Sequence, residues 1–211
     1  MDLLNESQTR IGKRDKTLRE IEKSGIQLAE YIDRRNREDE ETLEQFAKEQ
    51  DKWIDDVDEY LAEKYGEKVS SGSEAFVYRY KKNVIKSRSF VGYNSIREAL
   101  KSIEIHNNLF PSTAYQVVGF GRSDNELTVI LQQPYIEGVW ATNDQIEQYV
   151  KEYFGANKDH SVIGGTSYKN DSYLIQDLKP KNVIVRYNKQ KELTLFVIDG
   201  DFYINSEIKK D

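Results

Sequence analysis

The chain of 211 residues contains no cysteine, so disulfides and thiolate metal sites are excluded. It has only two histidines, His106 and His160, far apart and without ligand spacing. That removes a histidine-based zinc site and leaves carboxylate metal sites open. No apolar run approaches the length of a membrane span. The polar, mixed-charge start Met1–Arg10 is unlike a signal peptide. An excess of positive charge is missing too: the formal net charge is −6, which argues against a general nucleic-acid-binding surface. Hydrophobic residues make up 37% and charged residues 32%. The first value is low for a wholly globular chain, so part of it is expected as an exposed helix or arm. A cytoplasmic protein with no membrane contact is the expectation.

The composition shifts near Gly66. Residues 1–66 contain no proline and many charges. Leu18, Ile21, Leu28 and Ile32 form one helical stripe, and Leu43, Phe46, Trp53, Val57 and Leu61 form a stronger one. Gly66 reads as a helix stop. One or two amphipathic helices are expected over 1–66. They pack on the following domain or, alternatively, take a protein partner. From Lys68 the period becomes that of strands: Ala75–Tyr80, Val84–Ser87, Tyr115–Phe120 and Leu127–Gln132. A helix is expected over Ser95–Asn108, with Ser95 and Glu98 at capping-box spacing, and is closed by Pro111. A second is expected from Thr142 to Gly155, with Ile146, Tyr149, Val150 and Tyr153 on its apolar face. Leu174-Ile175, Val183–Val185 and Leu195–Ile198 are short strand candidates.

Four stretches carry chemistry. In Asp177-Leu178-Lys179-Pro180-Lys181-Asn182, an aspartate can orient a hydroxyl proton and a lysine can reach a transferring phosphate. The asparagine five residues on can bind a metal. Leu195-Phe196-Val197-Ile198-Asp199 is an apolar strand delivering a carboxylate suited to a metal, with Asp201 nearby. Val84-Ile85-Lys86 places a lysine after a buried strand. Its expected partner is Glu104, which flanks the apolar face of the helix; Glu98 is spent on the cap. The small residues of Ser70–Ser73 would let backbone N–H groups approach phosphates. His106 and Trp53 read as structural.

Taken together these residues resemble the protein-kinase-like superfamily from about Lys68 to Ile204. Gly72 and Val77 match the glycine-rich loop, in which Ser70 and Ala75 replace two glycines. Lys86 matches the strand lysine, and Glu104 follows it at 18 residues. Asp177, Lys179 and Asn182 match the catalytic loop, and Asp199 the metal aspartate. More narrowly, Glu104–Pro111, Val118–Gly121 and Ile130–Pro134 are similar to the kinase domain of polyvalent proteins of bacterial phages and conjugative elements. Two departures stand out: Ile175-Gln176 precedes the catalytic aspartate, and Gly200 follows the metal aspartate.

The resemblance implies an α+β, two-lobed kinase-like fold over 67–211 with a reduced C-terminal lobe, after an N-terminal helical segment over 1–66. It implies ATP and magnesium. Gly72, Ser73 and Val77 would form the loop over the phosphates, Lys86 would hold the α- and β-phosphates with Glu104 orienting it, and Gln133 and Tyr135, in the stretch to Gly138, would meet adenine. Asn182 and Asp199 would bind the metal, with Asp177 and Lys179 serving transfer to a hydroxyl, first of all Ser, Thr or Tyr of a protein. Two alternatives stay open: a small-molecule phosphotransferase similar to aminoglycoside kinases, and a non-catalytic interaction module working through its N-terminal helices.

Overall fold

The structure is a computed structural model that describes residues 40–71, 75–91, 93–159, 166–190 and 193–205. The stripe over Leu18–Ile32 lies outside the described residues. The architecture is α+β, built from three sheets and four α-helices among those residues.

The first sheet has six strands in the order β1-β5-β6-β4-β3-β2. These are β1 (Trp53–Ile54), β2 (Lys68–Ser71), β3 (Ala75–Tyr80), β4 (Asn83–Ser89), β5 (Gln116–Ser123) and β6 (Glu126–Pro134). The four strands expected from alternation are all present. Asp124 and Asn125, both at positive φ, close the β5–β6 hairpin, as a two-residue turn of matching twist requires.

Period-two alternation divides β4 sharply. Ile85 enters a cluster with Tyr78, Ile130, Val57 and Leu61 on one face of the sheet. Lys86 and Arg88 point to the other face.

Residues 40–65 pack against this layer. Helix α1 (Glu40–Glu49) buries Leu43 and Ala47 with Phe120, Val129 and Leu131. Helix α2 (Val57–Tyr65) buries Val57 and Leu61 on the opposite face. Between them β1 pairs parallel with β5, Trp53 opposite Phe120 and Ile54 opposite Gly121. The stripe from Leu43 to Leu61 is therefore not one helix. It is cut by Asp51 at positive φ and restarted by Asp56, whose carboxylate caps α2 at the Glu59 N–H, 2.9 Å away. β1 approaches β5 so closely that a Cβ on Gly121 would stand 2.2 Å from the Ile54 carbonyl oxygen.

Helix α3 (Ile96–Leu109) lies on the Lys86 face. Ser95 caps it by accepting from Glu98 N–H at 3.1 Å, and the Glu98 side chain returns to Asn94 N–H. Pro111 opens a 3-10 turn, Pro111–Thr113, that leads into β5. After β6 come β7 (Val139–Trp140) and α4 (Asn143–Phe154). Helix α4 starts at a reciprocal capping box between Thr142 and Gln145 and ends at Gly155 with φ 57°.

After α4 come the two-residue strands β8 (Asn157–Lys158) and β9 (Tyr168–Lys169). With β10 (Tyr173–Gln176) and β13 (Asp201–Ile204) they form a sheet in the order β13-β10-β9-β8. In the third sheet β11 (Val183–Tyr187) lies between β12 (Leu193–Val197) and β7 and pairs antiparallel with both. A single core joins these parts, with Ile146 and Val150 of α4 against Ile175, Val183, Val197 and Phe202. The clusters around β4 and around β12 meet where Lys86 crosses to the end of β12. Among the described residues no helix is long and apolar enough to cross a membrane.

Candidate functional site

Residues from four distant stretches meet between the middle of β4 and the end of β12. Lys86, buried, donates from Nζ to the Ile198 carbonyl at 2.7 Å and to Asp199 Oδ2 at 3.2 Å, with the Tyr115 hydroxyl at 3.4 Å. β12 ends at Val197 because Ile198 N–H and Asp199 N–H turn to the Asn182 carbonyl, at 2.9 and 3.4 Å. Asn182 Nδ2 in turn donates to the main-chain oxygen of Asp177 at 2.7 Å and to its Oδ2 at 2.8 Å. Lys179 closes on Asp177 Oδ1. An unbroken chain of contacts thus joins Lys86, Asp199, Asn182, Asp177 and Lys179.

The local backbone explains why these groups converge. Pro180 starts a 3-10 turn over Pro180–Asn182, which folds Asn182 back under Asp177. Asp177 has φ 56°, a region sparsely populated by residues other than glycine and held only by its surroundings. Gly200 has φ 149°, and a Cβ there would lie 3.2 Å from the ring of Phe202. The residue after Asp199 must therefore be small. Phe202 is buried 5.4 Å from the His106 ring and 5.5 Å from Phe110, with its N–H on Ser102 Oγ at 2.9 Å.

The electrostatics are set by a second cation. Arg88 shares the face of Lys86, sits 3.8 Å from Asp199 Oδ1 and pairs closely with Asp201, which also takes the Tyr93 hydroxyl. Burial alone would raise the Asp199 carboxyl, but Lys86 and Arg88 hold it well below the usual carboxylate range. Burial lowers the Lys86 ammonium, and Asp199 offsets part of that effect. Burial pushes the Tyr115 phenol up, so it stays protonated.

Of the nucleotide-contacting residues expected from sequence, Gly72 and Ser73 lie outside the described residues. Val77 pairs in register with Lys86. Gln133 is buried, and its amide donates to the Thr113 carbonyl at 2.6 Å. Tyr135 lies on the surface with its ring 4.0 Å from the Arg79 guanidinium, and its N–H donates to the Lys82 carbonyl at 2.9 Å. Glu104 is not brought to Lys86; its carboxylate pairs with Lys101 at 3.4 Å. The reason is the helix phase. The buried arc of α3 includes Ser102, Ile105, His106 and Asn107 as well as Ala99 and Ile103. At about 100° per residue its centre lies near His106, and Glu104 falls on the far side.

Arg88, Tyr93 and Tyr115 were not expected at the site. They are single polar residues inside strand or loop patterns, and no local spacing marks them.

The chain's own atoms suit a hard dication. Asn182 commits its Nδ2 to Asp177, and its Oδ1 takes no hydrogen bond among the described residues. That amide oxygen and the ionised Asp199 carboxylate are both oxygen donors. Among the described residues no cluster of three or more His, Cys, Asp or Glu side chains could hold a metal. Two oxygen ligands fit magnesium, which keeps waters and takes the rest of its shell from phosphates.

A family model described as a serine/threonine/tyrosine kinase found in polyvalent proteins matches residues 36–206. The match begins before α1 and includes every site residue named above. No curated protein and no solved structure matches the chain.

Proposed function

Because the chain belongs to the serine/threonine/tyrosine kinases found in polyvalent proteins, we propose that it transfers the γ-phosphoryl group of magnesium-bound ATP to a hydroxyl acceptor, a Ser, Thr or Tyr side chain of a protein. The observation that carries this reading is the chain of contacts from Lys86 through Asp199 and Asn182 to Asp177. In this reading the six-stranded layer and the two smaller sheets act as the two lobes of a kinase.

Lys86, anchored by Ile198 and Asp199, offers a point charge to the α- and β-phosphates. Asn182 and Asp199 would hold magnesium, which when bound neutralises charge on the β- and γ-phosphates. Asp177 orients the acceptor hydroxyl and takes its proton as the oxygen attacks the γ-phosphorus. The bridging P–O bond to the β-phosphate breaks, and ADP leaves with the electron pair. Lys179, already beside Asp177, meets the charge spread over the transferring group.

Thermal unfolding with and without Mg·ATP tests the nucleotide site. A ligand at a hundredfold excess over its dissociation constant should stabilise the wild type by about 2.7 kcal/mol, and Asp199→Asn should lose most of that shift. Asp177→Asn should retain the shift and lose phosphate transfer. Absence of any shift in the wild type, or undiminished transfer in Asp177→Asn, would refute the reading.

A further inference from the structure

The stretch Glu104–Pro111 has so far only a structural account, yet it determines what Lys86 meets. Asn107 is buried and grips the backbone of Tyr115 from both sides. Its Oδ1 accepts the Tyr115 N–H at 2.7 Å, and its Nδ2 donates to the Tyr115 carbonyl at 2.9 Å. His106, one residue earlier, donates from Nε2 to the Thr113 carbonyl at 3.1 Å and lays its ring 4.5 Å from that of Tyr115. Thr113 ties the same turn to β12 through its hydroxyl, which donates to the Val197 carbonyl at 2.6 Å. Each of these bonds is buried, so each is costly to leave unmade.

Held this way, the Tyr115 hydroxyl stands 2.7 Å from the Ile198 carbonyl, 3.2 Å from Asp199 Oδ1 and 3.4 Å from Lys86 Nζ. We propose that Tyr115 is the positioning residue for Lys86 and Asp199, in the place expected for a helix carboxylate, and that Asn107 acts through it. The inference rests on the kinase reading above. A phenol suits the task chemically. It can accept from the ammonium and donate to the carboxylate or the carbonyl, so it fixes both groups. It adds no negative charge where phosphates must approach. Lys86 and Arg88 are already balanced by Asp199 and Asp201. In this arrangement α3 controls the site through neutral hydrogen bonds on the backbone of residue 115, and Glu104 faces away.

The test is steady-state ADP formation from Mg·ATP by the full chain, with unfolding measured alongside. Tyr115→Phe keeps the ring stack and removes one hydrogen bond to charged partners. It should lower kcat by about tenfold to a hundredfold, with the KM for Mg·ATP changed by no more than about threefold. Glu104→Gln should stay within about twofold of wild type. Asn107→Ser should also lower kcat, and Asn107→Ser with Tyr115→Phe should lose no more than Tyr115→Phe alone, because residues acting as a unit are not additive. Wild-type kcat in Tyr115→Phe, a large loss in Glu104→Gln, or additive losses in the double variant would overturn the proposal. Should Tyr115→Phe not fold, the contrast between Asn107→Ser and Glu104→Gln decides alone: no loss in the former overturns the proposal. A wild type that forms no ADP overturns the kinase reading, and the inference with it, whatever the variants do.

Discussion

Acidification should destabilise this protein through His106, and the size of the effect follows from its surroundings. Its Nε2–H is spent on Thr113, and its Nδ1 is buried with no hydrogen-bond partner. A proton added at Nδ1 would create a cation among Phe110, Tyr115 and Phe202. Burial is the main cause that lowers its pKa from the ordinary 6.5 to about 4. The Thr113 bond and Asp199 oppose the shift, and Lys86 and Arg88 reinforce it. Between those two values the unfolded chain binds a proton that the folded chain refuses, so stability falls as pH falls. The full loss is about 3 kcal/mol below pH 4, of which about 2 kcal/mol has gone by pH 5. Urea unfolding of wild type and His106→Gln at pH 7 and pH 5 isolates this contribution, since glutamine keeps an N–H for Thr113 but does not titrate. Carboxylates common to both proteins cancel in the comparison. The stability difference between the two should change by about 2 kcal/mol in favour of the variant at pH 5. Stability curves that run parallel from pH 7 to pH 5 would refute the reasoning.

Two further outcomes follow from the way residues 40–66 are built in. Gly121→Ala would place a Cβ 2.2 Å from the Ile54 carbonyl oxygen and 2.6 Å from a Val57 methyl. It should cost about 2–3 kcal/mol, read as a lower urea midpoint with an unchanged slope. A fragment of residues 67–211 would lose α1, β1 and α2 and uncover Tyr78, Ile85 and Ile130. It should show no cooperative unfolding transition by circular dichroism, whereas a fragment from residue 36 should. Cooperative unfolding of the shorter piece would show that the helices are dispensable.

The parts of the site that were legible in the sequence are those written locally. Asp177, Lys179 and Asn182 share one turn, and a strand of apolar residues announces Lys86 and Asp199. The strands and caps of the central sheet were equally readable, because alternation and capping chemistry act between near neighbours. What failed has a common cause. Counting only apolar residues hid Ser102, His106 and Asn107 inside the buried arc of α3 and moved Glu104 to its edge. A two-residue strand such as β1 is too short to show a period, so a helix–strand–helix unit read as one stripe. Arg88 and Asp201 are 113 residues apart, and nothing near either one announces the other.

That last separation bears on how the molecule is made. Synthesis runs from the N-terminus, so Lys86 and Arg88 emerge long before Asp199 and Asp201. Until then two cations destined for the interior have no counter-charge, and desolvating them unpaired is strongly unfavourable. The sheet that carries them cannot close fully over that face while the chain is still growing. The cluster of Lys86, Arg88, Asp199 and Asp201 therefore closes only after residue 201 has emerged.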